Sequence, residues 1–262
     1  MAAVREPRAT LSVCVIAGNE EDRIAGCLAS VAWADEIIVV DSVSADRTAE
    51  IARASGARVI VREWPGYVAQ KNFALEQATG DWVLCLDADE RISPRLAEGI
   101  RGVLAGDGGA FAAYRMARRT FHLGRWILHG GWYPDRKVRL VRRGRARWGG
   151  IDPHDRLEPD GAIGDLAGDI EHYTYRDIAD HLRTIDRFTT VAARELHARG
   201  RGGALRGMLL HPPAKFLKMY LLKAGFLDGA PGFVIAVLGG YYVFLKYAKL
   251  WELRRAAGRR EA

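Results

Sequence analysis

The chain has 262 residues, 49% hydrophobic and 27% charged. That balance suits one large α/β domain, or a domain with an appendage, and excludes a wholly disordered chain. The formal charge of +7 is uneven: residues 199–262 carry 12 Lys and Arg against 3 Asp and Glu, the first 198 residues 27 against 29. The basic residues of the tail are interleaved with long apolar runs, which fits an anionic membrane surface and argues against a nucleic-acid partner. Cys14, Cys27 and Cys85 sit in apolar contexts without metal-like spacing and read as reduced core residues of a cytosolic protein. Residues 1–10 lack the apolar core of a signal peptide.

In chain order, residues 11–17 form a nearly continuous apolar run, the pattern of a strand covered on both faces. A helix is expected over 22–30, with Ile24, Leu28 and Val31 at helical spacing. A second buried strand at 37–40 ends in Asp41. Asp46 is a candidate N-cap for a helix through Arg53 that Gly56 closes. A third strand at 59–61, a helix over 70–78 and a fourth strand at 82–86 follow, and Ser93 and Pro94 open another helix as N-cap and N1. Strands alternating with helices in this way predict a doubly wound, mostly parallel sheet. Past the flexible break at 106–109, shorter strands are expected at 111–116 and 137–141, and helix predominates over 175–199.

Open sheets of this kind bind ligands at the carboxyl ends of their strands. Here those ends carry Asn19 and Glu20 after the first strand, Asp41 after the second, and Asp87-Ala88-Asp89-Glu90 after the fourth. Side chains two apart on an extended chain point the same way, so Asp87 and Asp89 can address one centre. Hard oxygen ligands of this type suit Mg²⁺ or Mn²⁺, and such an ion commonly works on phosphate. A dinucleotide-binding Gly-x-Gly-x-x-Gly, a P-loop and a Gly-x-Ser-x-Gly elbow are all missing from the sequence, which sets aside oxidoreductases, P-loop NTPases and Ser hydrolases. A divalent metal and a few side chains then have to hold a diphosphate without a glycine cradle.

The runs Val13 to Glu21 and Ile37 to Ser42, the triads Asp46-Arg47-Thr48 and Gln70-Lys71-Asn72, and Leu86-Asp87-Ala88-Asp89-Glu90 resemble the family 2 glycosyltransferases. More narrowly, Trp64-Pro65-Gly66-Tyr67, the run His129 to Asp135, Gly225 to Gly229 and Phe244 to Leu253 resemble the lipopolysaccharide core enzymes of the β-1,4-glucosyltransferase type. The resemblance covers almost the whole chain. It implies a GT-A-like fold and inverting transfer of a sugar, glucose by the narrower match, from a UDP-linked donor to a lipid-anchored core oligosaccharide. It places Asp41 by the base and ribose, Lys71 near the nucleotide, Asp87 by the ribose or metal shell, and Asp89 on the metal. One departure stands out: Ala17-Gly18-Asn19-Glu20 lacks the aromatic that the family usually offers to the nucleobase there.

Inverting transfer needs a general base for the acceptor hydroxyl and a way to stabilise the departing diphosphate. Asp155 is the expected base on the family pattern, with Asp152 in reserve. His172 is a candidate second metal ligand. Trp132, Tyr133 and Arg136 are candidates for the acceptor side. The expected organisation is a catalytic domain over 1–198, with a nucleotide half at 1–105 and an acceptor half at 106–198, followed by a basic amphipathic helical extension at 199–262. The stretch 229–245 is uncharged and 17 residues long, near the lower limit for a span. Pro231, Gly239 and Gly240 argue against a regular helix there, so attachment to the cytoplasmic face of a bacterial inner membrane is expected to be peripheral. A silent binding scaffold and a transferase acting on another lipid carrier are the competing readings.

Overall fold

In a computed structural model, residues 8–106, 109–151, 154–200 and 202–258 are described. The chain forms two compact units, one of Met1–Arg118 with Asp135–Tyr173, the other of Arg119–Pro134 with Thr174–Ala262.

The first unit is built on a mixed sheet. Strands β1 (Leu11–Ala17), β2 (Glu36–Asp41), β3 (Arg58–Val61) and β4 (Trp82–Asp87) are parallel in the order β3-β2-β1-β4. Every residue of β1 is buried, with Leu11, Val13 and Val15 in one apolar layer and Cys14 and Ile16 in the other. Both faces are therefore covered, by α1 (Ile24–Ser30), α2 (Thr48–Ala54) and α3 (Tyr67–Glu76) together with α4 (Pro94–Ala105), as a βα alternation requires. Asp46 hydrogen-bonds the backbone N–H of Thr48 at 2.9 Å, and the Ser93 side chain caps α4 by accepting from Leu96 N. The three cysteines are buried and unpaired, and burial pushes the Cys85 thiol up to about 11.

Beyond β4 the sheet becomes mixed. The order continues β4-β8-β6-β11-β5, with β5 at Glu90–Ile92, β6 at Ala113–His122, β8 at Asp135–Arg142 and β11 at Ile163–His172. The pairs β4–β8, β8–β6 and β11–β5 are antiparallel. Strands β9 (Ala146–Ile151) and β10 (His154–Pro159) form a separate antiparallel pair.

The second unit contains β7 (Arg125–Ile127), α5 (Ile178–Ala198), α6 (Ala204–Leu217), a π turn at Lys218–Leu222, a 3-10 turn at Gly225–Asp228 and α7 (Gly229–Gly258). Contrary to the expectation from its proline and glycines, α7 is one uninterrupted 30-residue helix. Pro231 falls in the first turn, where the backbone N–H groups have no partner to lose. The glycines are points of close approach instead: a Cβ at Gly239 would lie 2.5 Å from Met219 Sδ, and one at Gly240 3.2 Å from the Pro212 carbonyl oxygen. Asp228, fully buried, accepts from the backbone N–H of His129 at 2.8 Å and lies 3.1 Å from its Nδ1. That contact ties His129 to the turn ahead of α7 and gives it a structural task.

Candidate functional site

A cavity of about 420 Å³ opens at the carboxyl ends of β1, β2 and β4. Strand register brings these ends together: Ile16 of β1 lies opposite Asp87, and Ala17 opposite Asp41. Gly18, Asn19 and Glu20, then Ser42, Trp64 and Tyr67, and finally Asp87, Asp89 and His172 line the cavity. Asn19 sits at a φ of 56° and accepts from Ala45 N at 2.9 Å, pinning the first loop to the second. The Glu20 backbone N–H donates to Thr48 Oγ1 at 2.8 Å, while its carboxylate meets Arg23 at 3.3 Å.

A ladder of alternating charge reaches the cavity at Asp87. Asp155 meets Lys71 at 2.8 Å and Lys71 meets Asp87 at 3.0 Å. Asp87 meets Arg139, and Arg139 meets Glu90, each at 3.0 Å. Glu90 meets Arg118 at 3.0 Å, and Arg118 meets Asp135 at 2.7 Å. Burial alone would raise the pKa of Asp87, but Lys71 and Arg139 outweigh it and hold the carboxyl well below the usual range. Burial likewise works against the charge of Lys71, yet Asp87 and Asp155 hold its pKa above the ordinary value. The Lys71 ammonium also lies over the Trp148 ring, 4.5 Å from its centroid, an arrangement that favours the cation further.

The Gln70-Lys71-Asn72 triad is accounted for residue by residue. Gln70 reaches Ser42 Oγ at 3.3 Å, Lys71 joins the ladder, and Asn72 exchanges two hydrogen bonds with the Trp148 backbone at 2.8 and 2.9 Å. The triad so fixes the β9 strand that carries Trp148.

Asp89 stands outside the ladder. Its carboxylate faces the cavity and lies 3.2 Å from His172 Nε2. Pairing of β11 with β5 sets His172 opposite Glu90, and Tyr173 N donates to the Asp89 carbonyl at 2.9 Å, so the two side chains are held on one rim. Two ligands at right angles on an octahedral ion with bonds of about 2.1 Å would lie about 3.0 Å apart; the Asp89–His172 spacing fits. Among the described residues no group of three or more His, Cys, Asp or Glu could hold a metal, so an ion here would take its other ligands from substrate and water.

The remaining expected residues fall as follows. Asp41 is buried, its carboxylate accepting from Ser44 N at 3.0 Å and from Ser44 Oγ, and it shapes the turn behind Ser42. Arg136 is half-exposed and paired with Asp165 at 3.1 Å. Trp132 and Tyr133 belong to the second unit. Trp132 packs there beside His122, Tyr175 and His181. Asp152 lies outside the described residues. The sequence reading left Trp148 unremarked and gave Trp64 and Tyr67 no role in the site. Trp148 carries no local signal, since its partner Lys71 is 77 positions away.

The family model for glycosyl transferase family 2 matches residues 12–157, the span that holds the ladder from Asp155 to Glu90 and every cavity-lining residue but His172. The chain belongs to this family. Among its relatives is the lipopolysaccharide core biosynthesis glycosyltransferase LpsC of Rhizobium meliloti (strain 1021), 30% identical over 94% of this chain and 93% of the relative. An uncharacterized glycosyltransferase of Rickettsia typhi is 32% identical over 93% of this chain and 87% of its own length. Among solved structures, mannosyl-3-phosphoglycerate synthase from Rubrobacter xylanophilus aligns with a TM-score of 0.48 at 21% identity, covering 74% of this chain and 76% of that one. That likeness is too remote to bear on substrate. The glycosyltransferase so identified has the GT-A arrangement its family implies, with a long C-terminal helix added.

Proposed function

We propose that this glycosyltransferase is an inverting, metal-dependent enzyme that moves glucose from UDP-glucose to a lipid-anchored core oligosaccharide at the cytoplasmic face of a bacterial inner membrane. The observation that carries the reading is the isolation of Asp89. Asp87, Glu90 and Asp155 each meet a Lys or Arg, whereas among the described residues the Asp89 carboxylate faces the cavity with only His172 as an ion-pair partner. An oxygen–nitrogen pair at the edge of a nucleotide-sized cavity fits Mn²⁺ or Mg²⁺ completed by diphosphate oxygens. When bound, that ion supplies neutralisation of the charge that develops on the leaving diphosphate. The lipopolysaccharide assignment is supported by the relative of that description, alike over nearly the full length of both chains.

In the transfer, the acceptor hydroxyl oxygen forms a bond to the anomeric carbon as the bond from that carbon to the diphosphate breaks. The hydroxyl proton passes to Asp155. Lys71 now bridges Asp155 and Asp87, and a diphosphate entering the cavity competes for the same ammonium. Drawing Lys71 toward phosphate frees the Asp155 carboxylate oxygen that now holds the ammonium. Asn19 and Ser42 shape the nucleoside end, with Asp41 fixing the turn beneath. Trp64, 45% exposed and set edge-on to Tyr67 at 4.7 Å, supplies the aromatic face that the first loop lacks.

The helical segments of the second unit attach the enzyme to the membrane. Gly225–Ala257 is long and apolar enough to cross a bilayer, with 28% of its most apolar window buried. Peripheral attachment is favoured by the position of Lys249, whose ammonium meets Asp186 on α5 at 2.7 Å and so keeps that end of α7 at a polar surface. Hydrolysis of UDP-, GDP- and ADP-linked sugars, measured with Mn²⁺ and with a chelator, tests the donor reading. Metal-dependent release of UDP is the expected result; no response to any UDP-sugar would overturn the choice of donor.

A further inference from the structure

The second unit holds a cavity of its own, about 200 Å³, walled largely by Ile185, Phe188, Met219, Ile235 and Leu238. Lys215 stands at its edge. On α6 and the π turn that follows, Lys215, Lys218 and Met219 are three and four positions apart and share a face. Tyr242, another lining residue, and Lys246 are likewise four apart on α7. Partial burial, and after it the charges of Lys218, Lys223 and Lys246, lower the pKa of Lys215.

This grouping is not neutralised from within. Among the described residues none of the four lysines meets a carboxylate, in contrast to Lys249 with its Asp186 partner. Like charges held together at an apolar opening repel one another, so the arrangement favours an anion. The surface nearby on the same segments is apolar: Leu217, Leu221, Phe226 and Leu227 are about half-exposed, and Leu222 is 83% exposed. Exposed leucines of this number beside a cationic group mark a surface that meets lipid.

We propose that this cavity and its four lysines form a discrete site for one anionic membrane phospholipid, with the phosphate headgroup on Lys215, Lys218, Lys223 and Lys246 and an acyl chain in the cavity. The proposal deepens the peripheral-membrane reading and rests on it. It requires no residue of the sugar-nucleotide site. Charge complementarity and the apolar wall together select a phospholipid over a soluble phosphate, which would leave the cavity unfilled.

The test uses the full-length protein and vesicles of phosphatidylcholine with or without phosphatidylglycerol. Wild-type protein is expected to co-sediment with the phosphatidylglycerol vesicles. A Lys218→Gln, Lys246→Gln double variant is expected to bind roughly 25-fold more weakly, from about fivefold per lysine. Thr184→Trp, which fills the cavity from α5, is expected to remove the single bound phosphatidylglycerol seen by native mass spectrometry while leaving the lysines in place. UDP-sugar hydrolysis in both variants reports that the protein is folded. Wild-type binding in both variants would overturn the site and leave peripheral attachment standing. Failure of the wild-type protein to sediment with either vesicle would overturn the attachment itself.

Discussion

Replacing Glu90 by Gln changes one atom type at the centre of the charge ladder. Glu90 is fully buried. Its Oε1 accepts from Arg118 and Arg139, each at 3.0 Å, and its Oε2 accepts from Asp87 N at 3.0 Å. A Gln has one oxygen and one NH₂, so either two guanidinium groups or the Asp87 N–H would face a donor. Both guanidinium groups would also lose the charge between them. Breaking a buried ion pair by neutralising one partner costs about 3–5 kcal/mol, out of a total stability on the order of 5–15 kcal/mol. Urea unfolding at neutral pH should show that loss, and thermal unfolding a fall of about 6–20 °C. Because the Asp87 N–H starts the turn that aims Asp89, turnover should fall with stability. A variant within about 1 kcal/mol of wild type would refute the view that the ladder sets the shape of this rim.

Three further outcomes follow from the same geometry. Asp155→Asn should not weaken UDP binding and should lower turnover by roughly 10²–10⁴-fold; undiminished turnover would remove Asp155 as the base. Trp64→Ala should weaken UDP binding by about 1–3 kcal/mol, the worth of one base–aromatic stack, without changing the melting temperature, and unaltered affinity in a nucleotide titration would contradict the platform. His181 is buried against His122 at 3.2 Å, and burial lowers its pKa to about 4 from an ordinary 6.5. The unfolded chain therefore binds the proton first on acidification, so stability should decline between pH 6.5 and 4 by up to about 1.4 kcal/mol per pH unit. His181→Phe should flatten that dependence.

The parallel half of the sheet is legible because its strands are apolar and its turns carry their own chemistry. Residues 11–17 announce a strand covered on both sides, and Ser93-Pro94 announces the start of α4. The mixed half is obscured by its charge. Strand β8 reads Asp-Arg-Lys-Val-Arg-Leu-Val-Arg and β6 carries Arg115, Arg118 and Arg119, so only short apolar pieces of each look like strand. Those arginines are there for partners far away in sequence: Arg139 for Asp87, Arg118 for Glu90 and Asp135. The same distance hides which acid is unpaired. Asp87, Asp89 and Glu90 look equivalent along the chain, and only the folded sheet, by bringing Lys71, Arg118 and Arg139 to two of them, leaves Asp89 apart. Asp41 shows the converse. A strand-end acid looks like a ligand by position, and the fold shows a second use that the sequence hides, accepting two hydrogen bonds from its own turn.

Mn²⁺ affinity in the presence of UDP, measured by electron paramagnetic resonance for the wild type, Asp89→Asn and Asp81→Asn, tests the central claim most directly. Asp81, whose carboxylate is taken up by Thr10 at 2.8 Å, controls for loss of a negative charge elsewhere. The account predicts tight binding in the wild type and the Asp81 variant, with a loss of at least roughly tenfold in Asp89→Asn. Equal Mn²⁺ affinity in all three proteins would contradict it.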